Sequence, residues 1–249
     1  MSRPVAAARA TVLLAAHELR LTARRGENVL VTLVIPPAVL LFFATTGLIP
    51  AIAGRPVDYL LPGTLALAII ASGLVSLGIS TAYDRQYGVL KRLGGAPVTR
   101  ASVIASRILA VLAMEVLQVA VLVTVAVVGL GWRPADGVSP LLFGAAVLLG
   151  TLAFAGLGLL LAGTLRAEAV LALANGLFLA SIMVGGIVLP IDHLPGAVET
   201  LARWLPAGAL TDLFRAALGN GPDPVPALLV VGAWGLGAAG LAVRTFRWD

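Results

Sequence analysis

The chain has 249 residues, of which 59% are hydrophobic and only 12% charged, with 17 Lys and Arg against 12 Asp and Glu and a mean hydropathy of +1.02. A soluble domain carries about 25% charged residues, so this composition excludes a water-soluble fold and makes lipid the solvent of most of the surface. The lack of cysteine excludes disulfides, thiolate metal sites and cysteine nucleophiles, and the basic balance reads as cytoplasmic loops facing anionic headgroups, not as a nucleic-acid interface.

Residues 1–28 are too charged to span a membrane. Val12, Leu13, Leu14, Leu19 and Leu21 alternate with Arg9, His17, Glu18, Arg20, Arg24 and Arg25. Two readings stand: a helix in the cytoplasmic interface with snorkelling arginines, or a frayed basic tail. With five arginines and no uninterrupted apolar core before residue 29, a cleavable signal peptide is not expected.

The transmembrane domain is expected over 29–249. A helix rises 1.5 Å per residue, so ~20 residues cross the ~30 Å hydrocarbon core. The apolar runs predict a first span over Val29–Ile49, interrupted by Pro36 and Pro37, and a second over Leu60–Ala82, whose Gly63, Gly73 and Gly78 invite close helix approach. A third covers Val103–Gly131, with Arg107 in its first turn placed to snorkel to the inner interface. Deeper along it lie Glu115 and Gln118. An ionisable residue at that depth is either part of a translocation path or a hydrogen-bonded joint between helices, and both readings remain open for Glu115. Trp132 suits the outer interface. The fourth span is Leu141–Leu165 and the fifth Ala169–Leu189; Asn175 in the latter is again either path-lining or helix-joining. The sixth is Ala227–Val243.

Two stretches between spans break the pattern. Residues 83–102, YDRQYGVLKRLGGAPVTRAS, are the most densely charged run in the chain. Read as one helix over Tyr83–Leu93, they place Tyr83, Gln86, Tyr87, Val89, Leu90 and Leu93 on one face, and Asp84, Arg85, Gly88, Lys91 and Arg92 on the other. Gly94 and Gly95 then stop the helix and Pro97 forces a fresh start. A plain basic loop is the bland alternative, but such a loop needs neither the amphipathic period nor the glycine stop, so a docking element is the preferred reading. Residues 190–226 have apolar patterning without the length to span. Val198, Leu201 and Leu205 form one stripe; Pro206 interrupts; Leu210, Leu213, Phe214, Ala217 and Leu218 form a second, capped by Gly219. Two short helices, outside or dipping into the outer leaflet, fit this pattern.

With both termini inside, Lys and Arg on outer segments reduce to Arg55, Arg133, Arg203 and Arg215 out of 17, which sets the orientation by the positive-inside rule. The expected fold is therefore all-α and integral to the membrane, with six spans, an N-terminal interfacial helix, a cytoplasmic helix between spans two and three, and an outer hairpin between spans five and six. No G-x-x-x-x-G-K-[ST] occurs, so the chain binds no ATP in the P-loop manner. Asp192 and His193 lack the spacing and third ligand of a metal site, and no nucleophile elbow exists. No catalytic or metal-binding residue is expected.

At this point two motifs carry a likeness. Tyr83-Asp84-Arg85-Gln86-Tyr87-Gly88-Val89-Leu90-Lys91-Arg92-Leu93 with Ala96-Pro97-Val98-Thr99-Arg100, and Leu189-Pro190, Leu194-Pro195, Trp204-Leu205-Pro206, Leu210 and Arg215, together resemble the membrane-spanning permease subunits of type 2 ABC exporters, which include antibiotic-resistance and polysaccharide exporters. Gln86 stands where the family commonly has a second acidic residue, and Val89 where it has threonine. The resemblance covers essentially the whole chain. It implies a coupling helix made by Tyr83, Asp84, Arg85, Tyr87, Gly88, Leu90, Lys91 and Arg92 that docks an ABC ATPase, with Tyr83, Tyr87 and Leu90 as packing contacts. It also implies an outer hairpin marked by Pro190, Pro195, Pro206 and Arg215, while the candidate path residues remain Glu115, Gln118 and Asn175, read from their polarity within the spans. Two such permeases, identical or different, would pair with two ATPase subunits in a bacterial inner membrane. ATP and Mg would sit on the ATPase, leaving no cofactor on this chain. An apolar or amphiphilic cargo such as a drug, lipid or secondary metabolite is the expectation, since only 6% of residues are aromatic and glycan paths favour aromatic platforms. A glycan exporter, a proton-coupled transporter using Glu115 and a membrane scaffold are the alternatives.

Overall fold

In a computed structural model the structure describes residues 7–24, 26–46, 55–94, 98–187 and 190–246. The described residues are mostly helical, with no strand among them. Helix α1 (Ala7–Arg24) precedes α2 (Gly26–Thr46), which runs on through Pro36 and Pro37. Helices α3 (Pro56–Ile70) and α4 (Gly78–Gln86) are joined by a π-helical segment, Ala71–Leu77, into one rod, Pro56–Gln86. A short α5 (Val89–Gly94) leads to α6 (Arg100–Thr124), extended by a π turn to Gly129. Then come α7 (Pro140–Thr164), α8 (Ala167–Val184), the paired α9 (Gly196–Trp204) and α10 (Pro206–Ala217), and α11 (Pro224–Thr245).

The helix ends follow from local chemistry. The side chains of Thr99, Ser139 and Asp223 accept from the N–H groups of Ser102, Leu142 and Val225, capping α6, α7 and α11. Pro140 and Pro224 stand in first turns, where a missing N–H costs nothing.

Five rods among the described residues are long and apolar enough to cross a membrane: Pro56–Gln86, Arg100–Gly129, Pro140–Thr164, Ala167–Val184 and Pro224–Thr245. They lie over the second to sixth expected spans; Leu189, the expected end of the fifth, lies outside the described residues. Over the expected first span, the apolar part of α2 is Thr32–Thr46, which at 1.5 Å per residue falls short of a ~30 Å core; residues 47–49 of that span lie outside the described ones. The chain is thus a multi-pass membrane protein.

The Pro56–Gln86 rod and α7 form the centre, and α8 is the least covered. Close approach of the two central helices depends on missing side chains: a Cβ on Gly73 would sit 2.7 Å from Ala155 N, and one on Gly158 would meet Gly73 O at 2.5 Å. Trp132, expected at the outer interface, is 4% exposed and packs against the main core.

Candidate functional site

The charged stretch does not form one helix. α4 ends at Gln86, Gly88 turns the chain at φ +72°, and α5 starts at Val89. Only glycine takes that conformation without strain. The break re-aims every residue after it, so the two faces expected over Tyr83–Leu93 do not exist as such. Leu90 is fully buried with Leu77, Ile104, Leu159 and Phe246, whereas Tyr87 is 71% exposed and Val89 is exposed as well. Leu90 is therefore an internal anchor, not a docking contact. Tyr83 and Tyr87 stack with ring centroids 6.0 Å apart, and Lys91 and Arg92 are exposed. The expected glycine stop agrees with the end of α5 at Gly94; Gly95, Ala96 and Pro97 lie outside the described residues.

The base of this segment is held by two arginines. Arg85 donates to the carbonyl of Ala162 at 2.7 Å and to that of Leu165. It closes the C-terminus of α7, where carbonyls lack helical partners and the helix dipole favours a cation. Arg107 does not snorkel. It is 3% exposed, with one terminal nitrogen donating to Thr81 Oγ1 and the other to Asp84 Oδ2, each at 2.6 Å, and Glu18 of α1 lies 3.5 Å away. Carboxylates within reach and a hydroxyl make burial cheaper than a climb to the headgroups. Gln86, the departure from the family pattern, donates to Glu168 at 3.2 Å. Arg107 and Glu18 are members of this cluster that the sequence reading missed. The available signal was an arginine inside an apolar span, which calls for a carboxylate partner on a neighbouring helix.

The three expected path residues are not brought together. Glu115 is fully buried and accepts from Thr151 Oγ1 on α7; its other oxygen has no partner among the described residues. Gln118 accepts from Ser72 of the π segment at 3.1 Å and donates to the Thr32 carbonyl of α2 at 2.9 Å, tying three helices. Asn175 is exposed on α8 and donates to Leu171 of its own helix, so it joins no helices and lines no interior space of this chain. Glu115 and Gln118 have the helix-joining geometry.

At the opposite end, α9 and α10 break at Leu205–Pro206 as expected. The stripe Leu210, Leu213, Phe214, Ala217 and Leu218 is buried, and Gly219 ends the helix at φ +84°. The α9 stripe is less covered: Val198 and Leu205 are half-buried, Leu201 is 59% exposed, and Ala202 is the buried contact, with Trp204 beside it also exposed. Arg215 donates to the Gly186 carbonyl and to Asp212 at 3.1 Å and lies 4.5 Å over the Tyr59 ring. The Tyr59 hydroxyl also donates to Gly186 O, at 3.0 Å. Burial pushes the Asp212 carboxyl above its ordinary range, with Arg215 pulling it back. Pro190 leads into a 3-10 turn, and Pro195 and Pro206 precede or open the two helices. Asp192 is paired with Arg203 at 2.7 Å. No cluster of three or more His, Cys, Asp or Glu able to hold a metal occurs among the described residues.

The family model described as "ABC-2 type transporter" matches residues 9–218. Among curated proteins, the chain is 28% identical over 202 residues to the "Probable multidrug ABC transporter permease YbhS" of Escherichia coli K12, covering 76% of this chain and 50% of that protein. It is 27% identical over 197 residues to "ABC transporter G family member 20" of Dictyostelium discoideum, covering 74% of this chain and 26% of that protein. The chain thus spans half or less of the length of these relatives.

Proposed function

This chain belongs to the ABC-2 type transporter family, and from that premise we propose that it is the permease of an exporter, driven through the Tyr83–Arg92 segment by a cytoplasmic ABC ATPase. Members of this family are transport subunits that work with an ATPase. The finer reading is six spans with both termini cytoplasmic, α2 serving as the first, in a bacterial inner membrane. Two permeases and two ATPases would make the working unit. The cargo is an apolar or amphiphilic compound, in keeping with the few aromatics and with a relative named as a multidrug permease.

One observation carries the coupling role: a tip that is open and a base that is locked. Tyr87, Lys91 and Arg92 are available to a partner, while Leu90, Arg85 and Asp84 fix the segment to α7, α11 and α6. A push on the tip then moves helices, because little slack lies between. Glu115, sealed against Thr151, supports a joint more than a proton relay.

The test separates tip from base. Tyr87→Ala with Lys91→Ala and Arg92→Ala is expected to abolish co-purification of a P-loop ATPase while leaving the unfolding temperature unchanged. Leu90→Ala empties a buried leucine site and is expected to cost about 2–5 kcal/mol of stability. An intact wild-type preparation that recovers no ATPase would sink the proposal.

A further inference from the structure

Glu115 is an ionisable side chain deep in α6 that the coupling role described above does not use. It is 0% exposed, and so is Thr151, which it meets across the contact between α6 and α7.

The Thr151 hydroxyl touches two oxygens: Glu115 Oε2, and the carbonyl of Val147 one turn back in α7, at 2.7 Å. A hydroxyl has one hydrogen to donate, and a carbonyl has none. The Val147 contact has the usual length of an O–H···O bond, so it uses the Thr151 hydrogen. The Glu115 contact then lacks a hydrogen unless the carboxyl supplies it. An ionised carboxylate would either face a lone pair of Thr151 or take its hydrogen and leave the hydroxyl oxygen pressed on the Val147 carbonyl.

Two further observations agree. The other carboxyl oxygen, Oε1, is buried with no partner among the described residues. Charge on such an oxygen is costly inside a membrane bundle, whereas the carbonyl oxygen of a neutral acid is far less so. No cation offsets that cost. Helix α7 and the π segment contain no Lys, Arg or His, Arg107 is engaged by Thr81 and Asp84, and no charged group among the described residues acts on Glu115.

We propose that Glu115 is a proton-binding site inside the bundle: its carboxyl is held as a neutral acid whose O–H donates to Thr151 Oγ1, while Thr151 donates to the Val147 carbonyl. The proton completes a chain of hydrogen bonds from α6 into the backbone of α7. It is a structural proton, part of the joint between the helix that carries Arg107 and the helix whose end Arg85 closes. This inference goes beyond the transport reading and does not rest on it.

The experiment is infrared spectroscopy of the purified full chain in detergent at pH 7, read as the difference between wild type and Glu115→Gln. A protonated carboxyl has a C=O stretching band that a carboxylate lacks, and the difference isolates the band of Glu115 from those of other acids. One such band is expected. Glu115→Gln is expected to unfold at the wild-type temperature, because its amide N–H replaces the acid O–H. Thr151→Val provides a second comparison that does not depend on that variant: the band is expected to persist but to move to higher frequency, because the acid O–H has lost its acceptor. On transfer of the wild type to D2O, the band is expected to shift only slowly, as a sealed proton requires. No protonated-acid band in either difference spectrum would overturn the proposal. A band left in place by Thr151→Val would overturn the donation to Thr151, and an immediate shift in D2O would overturn the sealed, structural role.

Discussion

Arginines tie down both ends of the bundle, yet the two ends are built for different work. At the Gly88 end, Arg85 and Arg107 hold the root of a segment whose tip, from Tyr87 to Arg92, stays largely open. At the hairpin end, Arg215 fastens α10 so that nearly its whole length is covered, with Gly186, Asp212 and Tyr59 around the guanidinium. The first end joins helices through the Arg107–Asp84 pair and through Arg85 on two carbonyls of α7, the second through Arg215 on a carbonyl, a ring and Asp212 of its own helix. Under the proposed coupling role, a segment that transmits force needs a stiff root and a free contact surface. A hairpin that closes a lipid-facing bundle needs its backbone out of lipid. The sequence difference is one of spacing: charges cluster over residues 83–92, and prolines and glycines cut residues 190–221 into short apolar pieces.

The largest effect is expected at the charge-held root. Asp84→Ala leaves the Arg107 guanidinium almost without water and with only the more distant Glu18 as counter-ion. Breaking a buried pair from that side costs about 3–5 kcal/mol, read as an earlier thermal unfolding in detergent. Arg107→Met should cost less, because Asp84 is about one-third exposed and can hydrate, and it should rescue most of the Asp84→Ala loss in the double variant. If Asp84→Ala unfolded no earlier than wild type, charge would not be what holds this end, and the contrast between the two ends would fail.

What was legible in the sequence divides along the same line. The apolar rods lie over the second to sixth expected spans, because apolar run length is a local signal; the expected end of the fifth, Leu189, lies outside the described residues. The α10 stripe was equally readable. The charged segment over residues 83–92 was found by its charge but misdrawn in its geometry. A helical wheel assumes an unbroken axis, and Gly88 breaks it, so Leu90 turns inward while Tyr87 faces out. Arg107 was misplaced for another reason: its partners Asp84, Thr81 and Glu18 are brought near only by packing of α1 and α4 on α6. Asn175 forms no bond to another helix of this chain, since a polar residue in an apolar helix can satisfy itself on its own carbonyls.

At the hairpin end the expected effects are smaller. Arg215→Ala removes donors to Gly186 O and Asp212 together with the contact on Tyr59, and a loss of about 2 kcal/mol is expected from thermal unfolding. Tyr59→Phe keeps the ring under the guanidinium and removes only the hydroxyl bond to Gly186, for a loss of about 1 kcal/mol. Neither variant should alter ATPase co-purification. A loss of ATPase binding in either would mean that the two ends are coupled and not separately built.

The smallest effect, and the finest probe of the contrast, is the pH response of Asp212. Its carboxyl is pushed above the ordinary value of 3.8, first by burial, with Arg215 opposing. Between the unfolded and the raised folded value, the folded chain holds a proton that the unfolded chain has released, so stability falls as pH rises through that window and stays lowered above it. Asp212→Asn should therefore flatten this part of the pH profile, because it removes the group that titrates there. Arg215→Ala should steepen the same part, because it removes the cation that favours the charged carboxylate. A profile unchanged by Asp212→Asn would mean that water reaches this carboxylate, and that the hairpin is less tightly closed than its packing implies.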